Sequence, residues 1–158
     1  MANITMNAAD SMSAKLASCY VKIDGKRYLL MQMIDATFTF AKNKSKVPIL
    51  GRTGQGNKAT GWAGTFSAKL HYNTSIFRRM MIEYKNTGKD VYFETEVVND
   101  DPTSAAGRQS VVFTGCNLDS VIMAKFDAAN DNYLDEDISG TYEDCEMPEE
   151  FTMLAGME

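Results

Sequence analysis

Acidic residues near the end of the chain have the spacing of a calcium-binding loop. Counted from Asp135, the first, third, fifth and twelfth positions of an EF-hand loop carry oxygen-bearing side chains, and Gly140 stands at the sixth, where such a loop turns. The four candidate ligands are Asp135, Asp137, Ser139 and Glu146. The preceding stretch is poor in helix signals, and the residues after Gly140 alternate as in a strand. We therefore predict an acidic strand and turn with no metal site, and keep a small calcium-binding module as an alternative.

Three further features could serve phosphate binding or catalysis, but each lacks the residues that the chemistry needs. The glycine-rich stretch Gly51–Lys58 contains no Gly-Lys-Ser/Thr sequence and opens no helix, which favours a flexible arm over a phosphate-binding loop. His71 is the only histidine, and no nucleophile motif accompanies it. Cys19, Cys116 and Cys145 have no zinc-ligand spacing. We predict no catalytic residues, no cofactor and no enzymatic activity.

The charge and apolar patterning of the chain exclude several classes of protein. It has 158 residues with 16 basic and 21 acidic side chains, and the net charge of −5 disfavours a surface that coats DNA or RNA. Apolar runs are only a few residues long, which excludes a transmembrane helix, and residues 1–6 lack the pattern of a signal peptide. We expect one soluble intracellular domain with reduced thiols and no membrane partner.

The secondary-structure elements that position these residues are predicted to be mainly strands, because apolar residues recur with a period of two through most of the chain. Asp24-Gly25 between two alternating runs predicts a hairpin, since both residues accept a positive φ. Alternation from Trp62 to Leu70 predicts another strand, and helical spacing appears once, from Ile76 to Lys85. Later strands are predicted near residues 109–118, 120–127 and 137–145. The seven or eight strands predict a mainly β (α+β) fold, an antiparallel β-sandwich or barrel with one packed helix and a long extended loop.

Charge is separated along the sequence. Residues 42–61 contain five basic and no acidic side chains, whereas residues 131–158 contain ten acidic and no basic ones. A loop of about 20 residues inside a compact domain is uncommon and is either functional or disordered. The apolar residues within residues 42–61 favour a docking segment over a disordered linker. The candidate inter-subunit residues of this loop are Lys42, Lys44, Lys46, Val47, Ile49, Leu50, Arg52 and Lys58. The charge separation predicts copies that stack head to tail.

The order of short patterns carries a resemblance to a known family. A hairpin at Val21–Lys26 leads to an alternating strand ending at Phe38–Lys42, and the chain returns through Gly61–Phe66. After the helix and further strands, Gly140–Glu143 leads into the acidic segment Pro148–Phe151. Over about residues 18–154 the chain resembles the tail tube protein of contractile phage tails, in particular the PBSX-like group, which includes tubes of prophages and R-type bacteriocins.

The resemblance implies a β-barrel subunit that assembles into hexameric rings stacked as a hollow tube. Residues 1–18 are rich in Ala, Ser and Met with no clear period and are predicted as an N-terminal arm. The resemblance implies a tail-tube domain (19–146) whose loop 42–61 reaches a neighbouring ring, and an acidic, methionine-containing tail (147–158). The implied partners are further copies of the chain, tail sheath and baseplate proteins, with DNA only as cargo passing through the lumen. The implied location is a virion tail or tail-like particle assembled in the host bacterial cytoplasm. A type VI secretion-like tube remains an alternative.

Overall fold

The computed structural model describes residues 4–158, which form eight strands, one α-helix and a short 3-10 helix, Ala8–Asp10. In chain order the other elements are β1 (Ala17–Ile23), β2 (Lys26–Leu29), β3 (Met33–Val47), β4 (Gly56–His71), α1 (Ile76–Thr87), β5 (Phe93–Asp100), β6 (Arg108–Val121), β7 (Asp135–Tyr142) and β8 (Asp144–Glu149). The strand order is β2-β1-β5-β6-β7-β4-β3, and β8 pairs with β6 beside this path. This open antiparallel arrangement confirms the predicted mainly β fold with one helix.

The chain divides into two compact units, each built from segments that are distant in sequence. The first unit comprises residues 4–31, 92–114 and 145–158, and the second comprises residues 32–91 and 115–144. Strand β6 contributes its first half to one unit and its second half to the other. The division into arm, domain and tail at residues 18 and 146 stays a prediction.

The first unit is built on the pairing of β1 with β2 and β5. Asp24 (φ 51°) and Gly25 (φ 79°) both adopt positive φ in the turn from β1 to β2, which confirms the predicted hairpin. Along β1, Cys19, Val21 and Ile23 are buried while the residues between them are more exposed. This alternation places one apolar face of β1 in the core, as a half-buried strand requires.

The N-terminal segment is held to the first unit by the Asp101 carboxylate. Asp101 accepts hydrogen bonds from the Ser13 amide (2.9 Å), the Thr103 amide (3.0 Å) and the Thr103 hydroxyl (2.6 Å). The Thr103 hydroxyl, followed by the two amides, holds the pKa of Asp101 below its ordinary value of 3.8. A lowered pKa means that this carboxylate contributes stability above pH 3.8, and that the contribution is lost as pH falls through the folded-state pKa.

We expect Asp101→Asn to lower the melting temperature at neutral pH, because the amide accepts these hydrogen bonds less strongly than the carboxylate. The difference from wild type should begin to shrink below pH 3.8 and disappear as pH falls through the lowered folded-state pKa, where the wild-type carboxylate becomes protonated. Thermal melts followed by circular dichroism across this range measure the effect. Asp100→Asn, an exposed neighbour, is the matched control. A difference between wild type and Asp101→Asn that is independent of pH would contradict this role.

The second unit has β4 between β3 and β7, with α1 in the same unit. Phe66, Leu70 and Ile138 are buried on one face of this sheet, and Phe77 is the buried residue of α1. The helix begins at Ile76, whose amide donates to the Thr74 hydroxyl (3.5 Å), and it ends in a left-handed cap at the glycine that follows Thr87. The predicted helix is therefore confirmed. No helix in the described part of the chain is long and apolar enough to cross a membrane.

Strand β6 differs from the sequence expectation. Two strands were predicted over residues 109–118 and 120–127, but β6 is continuous from Arg108 to Val121 and carries a bulge between Leu118 and Ser120. The alternation that continues beyond Val121 therefore does not form a strand, and residues 122–134 connect β6 to β7. The predicted second strand is wrong because a bulge absorbs the change in phase at Asp119 without ending the pairing.

Candidate assembly surfaces

Residues 42–61, predicted as an extended loop, are extended but largely paired. They form the outer half of the β3–β4 hairpin, in which Lys42–Val47 belong to β3 and 56–61 belong to β4. Only the hairpin tip, residues 48–55, lies outside the strands. Strand periodicity was hidden here because both faces of the outer hairpin are exposed to solvent, so neither face needs apolar residues.

Three lysines share one face of the outer hairpin. Lys42 pairs with Trp62, Lys44 with Ala59 and Lys46 with Asn57, and alternation along β3 places the three lysines on the same side. The register shifts at Asn43, where Thr60 is the extra residue of β4 and its hydroxyl donates to the Asn43 carbonyl (3.1 Å). All three lysines are exposed, so this face carries three positive charges, and residues 42–61 contain no acidic residue that would offset them.

Aromatic rings cluster where the hairpin leaves the core of the second unit. We call this cluster the aromatic base, and it consists of Phe38, Phe40, Trp62, Phe66 and Tyr142. The Phe40 and Trp62 rings stack at 4.5 Å, and the Tyr142 hydroxyl donates to the Thr39 carbonyl (2.8 Å). Phe40 is 50% exposed and Trp62 is 39% exposed, and a large apolar surface of this kind in a charged setting is typical of an interaction site.

The absence of a side chain at Gly64 allows the rings of the aromatic base to pack together. Gly64 pairs with Phe40 on one side and with Tyr142 on the other, and a Cβ atom at this position would overlap the Tyr142 ring. The absence of a side chain lets Tyr142 lie flat over β4 and reach the β3 backbone with its hydroxyl. Sequence reasoning assigned Gly64 only to an alternating strand, because the ring that needs the space is 78 residues away in the chain.

The hairpin tip presents an apolar side chain between positive charges. The Arg52 amide donates to the Ile49 carbonyl (3.2 Å), which closes a turn that holds Leu50 at the outside. Leu50 is fully exposed, and Val47 and Ile49 are about as exposed as Trp62. An exposed turn of this kind offers an apolar anchor flanked by Lys46 and Arg52.

The acidic region, residues 131–158, is only partly available to a partner. Glu136 is buried and its carboxylate pairs with Arg78, and Asp135 is bound by Lys125 (3.1 Å) and lies 4.0 Å from Lys69. Five of the exposed carboxylates of this region lie on β8 or just beside it, and are Glu143, Asp144, Glu146, Glu149 and Glu150; Asp131, Asp137 and Glu158 are also exposed. The predicted acidic surface is therefore narrower than residues 131–158, and β8 is its main element.

The EF-hand spacing does not produce a calcium loop. Asp135, Asp137 and Ser139 lie in strand β7, and Gly140 is paired on both sides, with Phe66 and Leu118, instead of turning the chain. The fourth candidate, Glu146, belongs to the next strand, β8. Within residues 4–158, no group of three or more acidic, histidine or cysteine residues is placed to hold a metal ion. Asp135, Asp137, Ser139 and Glu146 therefore do not have the arrangement of an EF-hand loop.

The sole histidine has a structural environment. The His71 amide donates to the Gln32 carbonyl (2.9 Å), and its ring meets the Tyr133 ring edge-on with centroids 4.8 Å apart. Backbone pairing and ring packing account for the position of this residue at the end of β4.

The long edge of β3 is a feature that sequence reasoning did not identify. Among the described residues, β3 stands at one end of the strand order and pairs with β4 alone. It has 15 residues, so it offers an unusually long row of backbone donors and acceptors on its other side. Such an edge is a template for pairing with another chain.

Comparison with known proteins gives a consistent assignment. A family model described as phage tail tube protein matches residues 4–149. "Phage-like element PBSX protein XkdM" from Bacillus subtilis (strain 168) is 32% identical over 149 residues, which cover 94% of this chain and 98% of the relative. The fold is similar to a chain of the anti-feeding prophage baseplate (TM-score 0.66, 10% identity, 91% of this chain and 97% of that chain). It is also similar to Hcp1 from Flavobacterium johnsoniae (TM-score 0.50, 16% identity, 83% of this chain and 94% of that chain).

Proposed function

This chain belongs to the phage tail tube protein family, and from that premise we propose that it assembles into hexameric rings that stack as the inner tube of a contractile tail. The observation that carries the proposal is the long basic β3–β4 hairpin, which is exposed along its outer half. An isolated subunit gains no core packing from the outer half of this hairpin, because none of residues 42–61 is buried. A role in contact with other copies explains its length, its charge and its apolar tip.

Ring formation uses the unpaired edge of β3. Backbone pairing with a strand of the adjacent copy satisfies the row of amides and carbonyls and continues the sheet from subunit to subunit. The aromatic base lies beside this edge, so that Phe40 and Trp62 lose their solvent exposure when a neighbour arrives. Burial of apolar area then adds to the backbone hydrogen bonds at the same contact.

Stacking uses the separation of charge between the hairpin and β8. The hairpin carries Lys42, Lys44 and Lys46 on one face, while β8 exposes Asp144, Glu146 and Glu149. A contact between two different patches is heterologous, and it propagates as an open filament when it does not close into a ring.

Tail sheath and baseplate proteins then bind the outside and the end of the tube, and DNA passes through the lumen only as cargo. Assembly takes place in the cytoplasm of the host bacterium, and the subunit has no enzymatic role.

A tube of the type VI secretion kind is the second candidate, because the resemblance to contractile tail tubes extends to the tube subunit of that machine. The greater identity to the PBSX phage-like element protein favours the phage-type tube.

Analytical ultracentrifugation of the purified protein over a concentration series tests both forms of the proposal. We expect a hexamer and longer species that grow with concentration, whereas a monomer at every concentration would contradict ring formation.

Reversing Lys44, Lys46 and Arg52 to Glu should slow stacking, because the variant hairpin repels the acidic β8 surface. Added salt should slow the wild-type protein and accelerate the variant, since screening weakens attraction in one and repulsion in the other. Light scattering during assembly measures both rates. Reversal of the exposed residues Lys15, Lys85 and Lys89 gives a control variant with the same net charge. Equal slowing in the two variants would show that net charge alone matters and would refute the hairpin contact.

A further inference from the structure

The two terminal segments of the chain meet in the first unit. Gly156 lies against Ile4, so closely that a Cβ on Gly156 would come within 2.5 Å of the Ile4 side chain. The Thr152 amide donates to the Ala106 carbonyl (2.8 Å), which fixes the C-terminal segment to the turn that precedes β6. The described parts of the two terminal segments therefore form a defined part of the molecular surface.

This part of the surface is apolar. We call it the terminal apolar surface and define it by the exposed apolar residues of the two terminal segments, Ile4, Met6, Met153 and Met157. They are 75%, 63%, 63% and 67% exposed. Methionine side chains are unbranched and polarizable, so they adapt to the shape of a partner, and their concentration on an exposed surface is typical of contact sites.

Three carboxylates flank the residues of the terminal apolar surface in sequence. Glu149 and Glu150 precede it and Glu158 ends the chain, and all three are exposed. Arg108 approaches Glu149 at 3.6 Å, but Glu150 and Glu158 have no cation within reach among the described residues. A partner that fits this surface is apolar at its centre and positively charged at its rim.

The hairpin tip has those properties. Leu50 is fully exposed, Ile49 lies beside it, and Lys46 and Arg52 flank the pair. The outer hairpin holds the tip about 20 Å beyond Lys42, since each strand residue adds about 3.3 Å, which is long enough to reach another subunit. The apolar centre of the tip therefore matches the terminal apolar surface, and the cations of the tip match the carboxylates that flank this surface in sequence.

We propose that the tip of the β3–β4 hairpin of one copy docks on the terminal apolar surface of a second copy, with Leu50 as the anchor between methionine side chains. The proposal rests on the proposed tube function and assigns the receiving site of the stacking contact. It also gives the terminal segments a role, since both must be in place for the surface to exist. Because donor and receiver are different patches, each docked copy offers a free tip or a free surface to the next.

Cross-linking between two singly substituted proteins tests the proposal. Cys145→Ser is the background, because Cys19 and Cys116 are buried while Cys145 is partly accessible. Leu50→Cys protein is mixed with Met153→Cys protein at a concentration where sedimentation shows oligomers, and a short bis-maleimide is added. The control mixture replaces Met153→Cys by Glu83→Cys, on the exposed part of α1. We expect the mixed cross-linked dimer to exceed that of the control about tenfold.

The outcomes separate this inference from the proposed function. Oligomers that cross-link Leu50→Cys to Glu83→Cys and not to Met153→Cys would overturn the docking site and leave the tube proposal standing. An absence of oligomers at every concentration would contradict both.

As a second measurement, Leu50→Asp should raise the protein concentration needed for assembly about tenfold, as expected for the loss of an interface anchor. Met123→Asp, at another exposed methionine, should leave that concentration unchanged. Equal effects of the two substitutions would overturn the role of Leu50.

Discussion

Deletion of residues 44–60 leaves a folded protein that no longer stacks into tubes. The deletion joins Asn43 to Gly61, and Asn-Gly is the most favoured two-residue turn between antiparallel strands. The flanking residues Lys42 and Trp62 already pair across the hairpin, so the shortened hairpin keeps its register. No residue of the deleted segment is buried, so the stability of the subunit should change little while the stacking contact is lost.

Circular dichroism and sedimentation velocity measure the two halves of this prediction. The melting temperature should remain close to that of the wild type, and the longest assemblies should be single rings. Deletion of residues 128–131, an exposed part of the connection between β6 and β7, is the control for removal of surface chain. Tubes of normal length from the 44–60 deletion would contradict the role of the hairpin in stacking.

Arg78→Ala should destabilise the subunit by about 3–5 kcal/mol, the cost of leaving a buried charge without its partner. Glu136 is 1% exposed and its carboxylate is bound by the Arg78 guanidinium. The same guanidinium donates to the carbonyls of Thr74 and Ile122 and lies 4.4 Å from the centre of the Tyr72 ring. One side chain therefore connects β7, the start of α1 and the end of β6, and its loss removes all of these contacts together.

Urea denaturation of the two variants Arg78→Ala and Arg79→Ala measures this effect against a matched control, since Arg79 is an exposed neighbour on α1. Arg79→Ala should change the free energy of unfolding by no more than about 0.5 kcal/mol. The double variant Arg78→Met with Glu136→Leu should recover most of the loss, because apolar residues of similar size often replace a buried ion pair without cost. A free energy of unfolding for Arg78→Ala equal to that of the wild type would contradict the account of the pair.

Local signals were sufficient for several elements. The Asp24-Gly25 turn, the helix beginning at Ile76 and the core half of β4 all follow from patterns within about ten residues. The turn follows from two residues that accept a positive φ. For the helix and β4 the periodicity of the sequence reports burial, because one face of the element packs in a core. The predicted helix ends two residues earlier than the observed one, which continues to Thr87.

Features that depend on distant parts of the chain were not predictable in this way. The ion pair between Arg78 and Glu136 joins residues 58 positions apart, and nothing in either local pattern identifies the partner. The outer hairpin lacks a buried face, so its strands leave no alternation of apolar residues. The EF-hand spacing around Asp135 arose on a strand, which shows that spacing without the geometry of a turn carries little information about metal binding.

The candidate site was only partly visible from the sequence. The basic and apolar residues of 42–61 identified the hairpin as a contact element, and that role stays a prediction. The edge of β3, the exposed rings of Phe40 and Trp62, and the meeting of Ile4 with Gly156 became visible only with the strand order and the fold of the chain ends. These are the features on which the ring and stacking contacts are now argued.

Electron cryomicroscopy of the concentrated wild-type protein tests the tube proposal most directly. We expect hollow filaments built from six-fold rings, with the β3 edge at the contact within a ring and the hairpin crossing to the next ring. Single rings would support the ring contact and contradict spontaneous stacking by the hairpin. Dispersed monomers at high concentration, or filaments without a central channel, would contradict the central claim that this chain forms a tube.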